Sequence, residues 1–155
     1  MVKNKDIEIV SRLRNNARES LTKMSRKTGV PVSTLFDKLK GFENDLIVKH
    51  TCLIDFNKIG YNTQAKIILK VAKENKKECG EYLNKCPNIN SLFKINSGYD
   101  YLIEAVFTNI KEIEEFIEAL EERFDIIEKQ TFYIIEEMKR EDFLSNNIQD
   151  FTFTD

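Results

Sequence analysis

Residues 20–43, SLTKMSRKTGVPVSTLFDKLKGFE, decide how the rest of the chain is read. The stretch divides at Gly29-Val30-Pro31. Before that point, residues 21–28 predict a short helix burying Leu21 and Met24. After it, residues 32–43 predict a second helix, with Leu35, Leu39 and Phe42 on one stripe at helical spacing. Gly29 suits the positive φ with which a chain leaves a helix, and Pro31 lacks only an N–H that has no helical partner at the next start. Ser33, Phe36, Asp37, Lys38 and Lys40 are left on the open side. A supporting helix, a tight turn and an exposed polar helix form the helix-turn-helix pattern, whose second helix enters the DNA major groove.

Upstream, residues 5–17 predict an amphipathic helix with Ile7, Val10, Leu13 and Ala17 on one face. Ser20 is a good N-cap for the helix that follows, although Lys23 stands where a capping box places Glu. Three helices in this space make a small core. Downstream of Asn44-Asp45, the apolar and β-branched run to Ile54 predicts two short strands, a β-hairpin wing beside the helices. Residues 55–62, DFNKIGYN, read as a hinge.

Beyond the hinge the period changes from helical to alternating. Residues 63–72 predict a strand with Ala65, Ile67, Leu69 and Val71 on one side. A helix over 74–86, strands over 89–96 and 99–107, a helix over 109–124 and a strand over 126–138 complete the order βαββαβ. The predicted fold class is α+β: an N-terminal winged helix-turn-helix followed by a ferredoxin-like domain, four antiparallel strands with both helices on one face. The boundaries are 1–54 for the helix-turn-helix domain, 55–62 for the hinge, 63–140 for the ferredoxin-like domain, and 141–155 for a tail containing Phe151 and Phe153. Ile68, Leu92, Leu102 and Val106 fall on the side away from their strands' main apolar sets, and Tyr133 and Ile135 alternate with Phe132 and Ile134. A sheet apolar on both faces predicts a second copy packed against it, at least a homodimer.

Charge divides along the same boundary: residues 1–50 carry +5 and residues 51–155 carry −7. A basic module on an acidic body suits a DNA-facing end. No apolar run approaches the ~20 residues of a transmembrane helix, and no signal-peptide core opens the chain; the expected location is the cytoplasm, with no membrane partner. Cys52, Cys79 and Cys86 form no CxxC pair, and His50 is the single histidine, so neither a disulfide framework nor a metal site is expected. No phosphate loop and no nucleophile–histidine set is present; no catalytic residue, enzyme activity or cofactor is expected.

The order of elements, with Lys58-Ile59-Gly60-Tyr61 at the end of the hinge and Tyr99-Asp100 in the effector hairpin, resembles the Lrp/AsnC (feast/famine) transcription regulators across about residues 5–140. The resemblance implies a sequence-specific regulator of double-stranded DNA that forms homodimers and often octamers, with an amino acid or similar small effector bound between effector domains. It implies that Ser33-Thr34 open the recognition helix, that Tyr99-Asp100-Tyr101-Leu102-Ile103 is the family's turn-and-strand motif, and that Thr131 matches a threonine of the last strand. This chain departs from the family at Pro31, where a Ser cap is frequent, at Gly41, where Arg is common, at Leu46, in place of a glycine, and at Ser97-Gly98, where the glycine stands one place late.

Candidate phosphate contacts are Arg26, Lys27, Lys38, Lys40 and Lys49, and candidate base contacts are Ser33, Thr34, Phe36 and Asp37. Asp37 suits a cytosine amino group and Phe36 a thymine methyl; alternatively Phe36 packs on the wing and Asp37 pairs with Lys38 or Lys40. For the effector, the turn of Ser97, Gly98, Tyr99 and Asp100 offers N–H groups to a carboxylate and the Asp100 carboxylate to an ammonium, unless Asp100 is a turn residue bonding its own backbone. Two other readings stand beside the regulator: a small-molecule sensor that has lost DNA binding, and an enzyme reusing the same two-domain fold.

Overall fold

The computed structural model describes residues 4–145; the tail from 146 on, with Phe151 and Phe153, lies outside the described residues. The chain divides into two units. One comprises the described residues up to Cys52 together with those from Met138 onward, and the other is Leu53–Glu137.

The first unit holds α1 (Asn4–Asn15), α2 (Leu21–Thr28) and α3 (Val32–Asp45). Ser20 caps α2, its hydroxyl accepting the Lys23 N–H at 3.3 Å. Gly29 ends α2 at φ 70°, in the left-handed region that costs a side chain-bearing residue energy. Buried Thr28 donates to the Met24 carbonyl at 2.9 Å and accepts the Val30 N–H at 3.3 Å, which fixes the turn. Behind Pro31, α3 starts without a side-chain cap and runs unbroken through Gly41. Ile9, Met24 and Leu35 form the core, with Leu13, Leu21, Val30 and Phe42 packed around them.

Two expectations change here. Ile9 is the buried apolar residue of α1, with half-buried Leu13 packed against the same core; Ile7 and Val10 are half-buried outside that cluster and Ala17 lies beyond the helix. The apolar run in α1 is broad enough for either stripe, and Met24 and Leu35 select the one they fill. The β-hairpin wing is absent among the described residues: no strand forms between Leu46 and Asp55, and Val48 is fully exposed. β-Branched residues favour extended backbone, but a strand exists only when its N–H and C=O groups find a ladder.

The segment after Met138 closes onto the end of α1. Arg14 Nη2 donates to the Glu141 carbonyl and carboxylate at 2.9 and 3.0 Å, and Nε donates to the Phe143 carbonyl. Asn15 adds a bond to the Ser145 carbonyl at 2.9 Å. Glu141 and Leu144 sit at φ 53° and 60°, a conformation that these contacts hold in place.

The second unit contains β1 (Thr63–Val71), α4 (Lys76–Leu83), β2 (Ile89–Lys94), β3 (Tyr101–Phe107), α5 (Ile110–Arg123) and β4 (Ile126–Tyr133). The sheet order β2-β3-β1-β4, all antiparallel, is the ferredoxin-like arrangement. Asn109 starts α5 by accepting the Glu112 N–H at 3.1 Å, while Glu112 reaches back to the Thr108 N–H. Ala65, Ile67, Leu69 and Val71 of β1 and Ile103 and Ala105 of β3 pack on Cys79 and Leu83 of α4 and on Ile113, Ile117 and Leu120 of α5. Burial pushes the Cys79 thiol up to about 11, so it behaves as a small apolar side chain.

Register decides what the other face shows. Leu92 pairs with Ile103 and joins the helix-covered core, contrary to its expected place on the open face, and Phe93 pairs with Leu102 on that face instead. The register shift between Ile89 and Ser91 is the cause, since a one-residue slip exchanges faces. The open face thus carries Ile68, Leu102 and Val106, half-buried, with Phe93 and Phe132 exposed.

Candidate nucleic-acid interface and effector turn

With Leu35 at the centre of the buried side of α3, the helical period turns Ser33, Phe36, Asp37 and Lys40 outward, and all four are exposed together with Thr34. Phe36 is 56% exposed, and neither expected alternative for this pair is present: no wing covers the ring, and Asp37 makes no ion pair among the described residues. Gly41 has open space around it, and its lack of a side chain leaves the outer surface of α3 bare there.

The candidate cations separate into two groups. Lys38 Nζ lies 2.5 Å from Asp6, whose carboxylate is 14% exposed, so Lys38 ties α3 to α1. Lys27 lies 2.9 Å from Glu19, and Arg12 and Lys23 each come within 4.0 Å of the same carboxylate. Arg26, Lys40 and Lys49 are exposed and make no ion pair among the described residues, so these three are open to solvent.

Glu19 was not singled out from the sequence, yet its carboxylate is 5% exposed at the centre of three cations. The hydrogen bond from Lys27 outweighs desolvation and holds its carboxyl below the ordinary value of 4.5. A depressed folded-state pKa means that the unfolded chain binds the proton first. The stabilisation is therefore complete above about pH 4.5 and is lost as pH falls through the lowered value. Thermal melts of wild type and Glu19→Gln are expected to differ most above pH 4.5 and to converge below it. The spacing of Glu19, Lys23 and Lys27, successive fours, is the signal that finds this cluster.

In the second unit the turn between β2 and β3 places Ser97 at φ 62° and Gly98 at φ 89°. Two successive residues at positive φ are the pattern of a tight type I′ hairpin turn, which suits the antiparallel pairing of β2 with β3. Asp100 is committed elsewhere. One of its carboxylate oxygens accepts the Val71 N–H at 2.9 Å and the other lies 2.6 Å from Lys76 Nζ, while its own N–H donates to the Leu69 carbonyl at 2.8 Å. Leu69–Tyr101 is the last β1–β3 pair, so Val71 has no carbonyl on β3 and the side chain supplies the acceptor. Partial burial disfavours its charge, but the Lys76 and Val71 bonds prevail and hold the carboxyl below its ordinary value. The Asp100 carboxylate thus bonds the backbone of β1 and the Lys76 ammonium, and in this arrangement it is not open to an incoming ammonium.

Tyr99 donates its hydroxyl to Glu128 and accepts from Gln130 Nε2 at 2.6 Å. Those two β4 residues pair with Lys70 and Ile68 and so lie on the open face. Thr131 pairs with Ile67 and lies on the helix-covered face, as does Tyr133, which donates to Glu114 of α5. The structure therefore gathers Ser97, Gly98 and Tyr99 with Glu128 and Gln130, and it does not bring Thr131 to them. Alternation along β4 is the physical reason.

A model of the Lrp/AsnC ligand binding domain matches residues 64–144. The HTH-type transcriptional regulator FL11 of Pyrococcus horikoshii is 28% identical over 116 residues, 74% of this chain and 77% of that protein. The glutamate uptake regulatory protein of Zymomonas mobilis is 22% identical over 143 residues, 90% of this chain and 87% of that protein. Among solved structures, the transcriptional regulator NMB0573 in complex with L-Met, from Neisseria meningitidis, superposes with a TM-score of 0.82 at 22% identity, covering 90% of this chain and 94% of that one. LrpC of B. subtilis gives 0.81 at 18% identity, covering 90% and 98%.

Proposed function

This chain belongs to the Lrp/AsnC family and is a DNA-binding transcription regulator with a small-molecule effector domain, and we propose that it reads double-stranded DNA through α3 and answers to an amino acid or similar effector. The observation that carries the DNA reading is the outward face of α3, with Ser33, Thr34, Phe36, Asp37 and Lys40 free for base edges and Arg26, Lys40 and Lys49 free for phosphates. Lys27 and Lys38 act through Glu19 and Asp6 as braces of the three-helix core.

Residues 1–54 are the DNA-binding domain, 55–62 the hinge, 63–140 the effector and oligomerisation domain and 141–155 the tail; the first compact unit, which ends at Cys52 and resumes at Met138, supports these divisions to within a few residues and adds the start of the tail to the DNA-binding domain. The apolar open face of the sheet supports a homodimer as the working unit, with larger assemblies such as an octamer built from it. In the effector domain, the N–H groups of Ser97, Gly98 and Tyr99 receive the effector carboxylate. Glu128, beside Tyr99, stands nearer the role of ammonium acceptor than Asp100. The protein works in the cytoplasm as a regulator rather than an enzyme.

The test is an anisotropy titration of the full chain against its own upstream DNA at two salt concentrations, with and without an amino-acid mixture. Three free cations set a slope of log K against log[salt] of about −3 per protomer, and Lys40→Ala is expected to reduce it by about 0.9 while lowering affinity on all sequences alike. Lys38→Ala is expected to leave that slope unchanged and to lower the melting temperature, because the tie between α3 and α1 is lost. Selective binding with these slopes supports the regulator, and a shift with amino acids supports the effector reading. Absence of selective binding at low salt favours the sensor without DNA binding, a reading that the neutralisation of Lys27 and Lys38 already supports in part.

A further inference from the structure

Val32 and Phe36 stand one helical turn apart on α3, 43% and 56% exposed, Val32 at the edge of the stripe that holds Leu35 and Phe36 outside it. Neither is needed to close the three-helix core, which Ile9, Met24 and Leu35 fill. Two exposed apolar side chains thus share α3 with exposed Lys40, one turn beyond Phe36, in a unit where Arg26 and Lys49 are also exposed and make no ion pair among the described residues. The same helix carries one exposed carboxylate, Asp37, which makes no ion pair among the described residues. The open cations ask for phosphate. An apolar pair beside an acceptor asks for a partner that offers methyl groups and amino donors. The major groove of DNA has that composition: its one apolar group is the C5-methyl of thymine, and cytosine and adenine present amino donors beside it.

Resting on the regulator reading above, we propose that the Val32–Phe36 pair reads C5-methyl groups, so that thymine is required at defined positions of each half-site. Asp37 sharpens the requirement. Its charge opposes phosphate and weakens non-specific association, so the complex depends more on what the apolar pair meets in the groove.

Deoxyuridine isolates the group, because it keeps every hydrogen-bonding atom of thymine and lacks only the methyl. The full chain first selects its preferred site from genomic fragments, and each thymine of that site is then replaced by deoxyuridine in turn. Wild type is expected to lose about fourfold in affinity at one or two positions per half-site, the value of one buried methyl. Phe36→Ala is expected to bind thymine and deoxyuridine DNA alike at those positions while keeping the wild-type salt slope, which shows that the variant is folded and still meets phosphate. Indifference of wild type to deoxyuridine at every position overturns the proposal alone, as does an undiminished methyl effect in Phe36→Ala. A ring wedged between base steps gives that first outcome together with a kink readable by end-to-end energy transfer. Failure of the full chain to select any sequence overturns the regulator reading, and the proposal with it.

Discussion

Gly80→Ala is expected to destabilise the second unit by about 2 kcal/mol, where an ordinary helical glycine gains about 1 kcal/mol from the same change. A Cβ built on Gly80 falls 2.5 Å from Tyr101 Oη and 3.1 Å from its Cζ. Tyr101 cannot retreat freely: it is 4% exposed, its ring belongs to the core, and its hydroxyl donates to the Lys76 carbonyl at 2.7 Å. Overpacking of this kind costs about 1–3 kcal/mol, and loss of the hydroxyl bond adds about 1 kcal/mol, which together exceed the propensity gain. Urea unfolding followed in the second unit measures the cost. Tyr101→Phe removes the nearest atom, so Gly80→Ala in that background is expected to cost less than half as much. Gly41, with nothing within 4 Å, is the control, and Gly41→Ala is expected to stabilise the first unit by about 1 kcal/mol. A stabilising Gly80→Ala contradicts the close approach of α4 to β3.

Asp100→Ala carries the second large effect, a loss of about 2–3 kcal/mol in the same unit. The substitution strands the Val71 N–H and removes the partner of Lys76, and bonds to a charged acceptor are worth about 1.5–3 kcal/mol. Asp100→Asn keeps an oxygen for Val71 and loses only the charge, so about half of the effect is expected to return. Hydrogen exchange at Val71 separates the two contributions: protection is lost in the alanine variant and largely kept in the asparagine one. The pH dependence has the sign of a depressed carboxyl: the contribution is complete above the ordinary value of 3.8 and disappears as pH falls through the lowered one. Equal destabilisation by both variants assigns the effect to charge alone.

Local chemistry made much of this fold legible. Gly29 and Ser20 set the limits of α2 because each satisfies a helix-end requirement within a few residues of itself. The alternation of Ala65, Ile67 and Leu69 held because both neighbouring strands pair with β1 in register along that run. What stayed hidden depended on distant partners. The run from Leu46 to Ile54 has strand-forming residues and no ladder to join. Leu92 and Phe93 exchange faces through a shift located at Ile89 and Ser91, which no periodicity within β2 reveals. Asp100 reads as a ligand group until Val71, 29 positions away, is seen to need an acceptor. Phe36 is exposed for a simple reason: an aromatic residue outside a helix's own apolar stripe has nothing local to pack on.

The bonds of Arg14 and Asn15 to Glu141, Phe143 and Ser145 mean that segments from either side of the second unit in the sequence build the first. That connectivity bears on where a chimaera is joined. A single junction in the linker exchanges more than the second unit, because it also delivers a foreign partner for Arg14. Exchange of the second unit alone takes two junctions, at the linker and again near Met138, so that the eight residues Met138–Ser145 stay with the helix they brace.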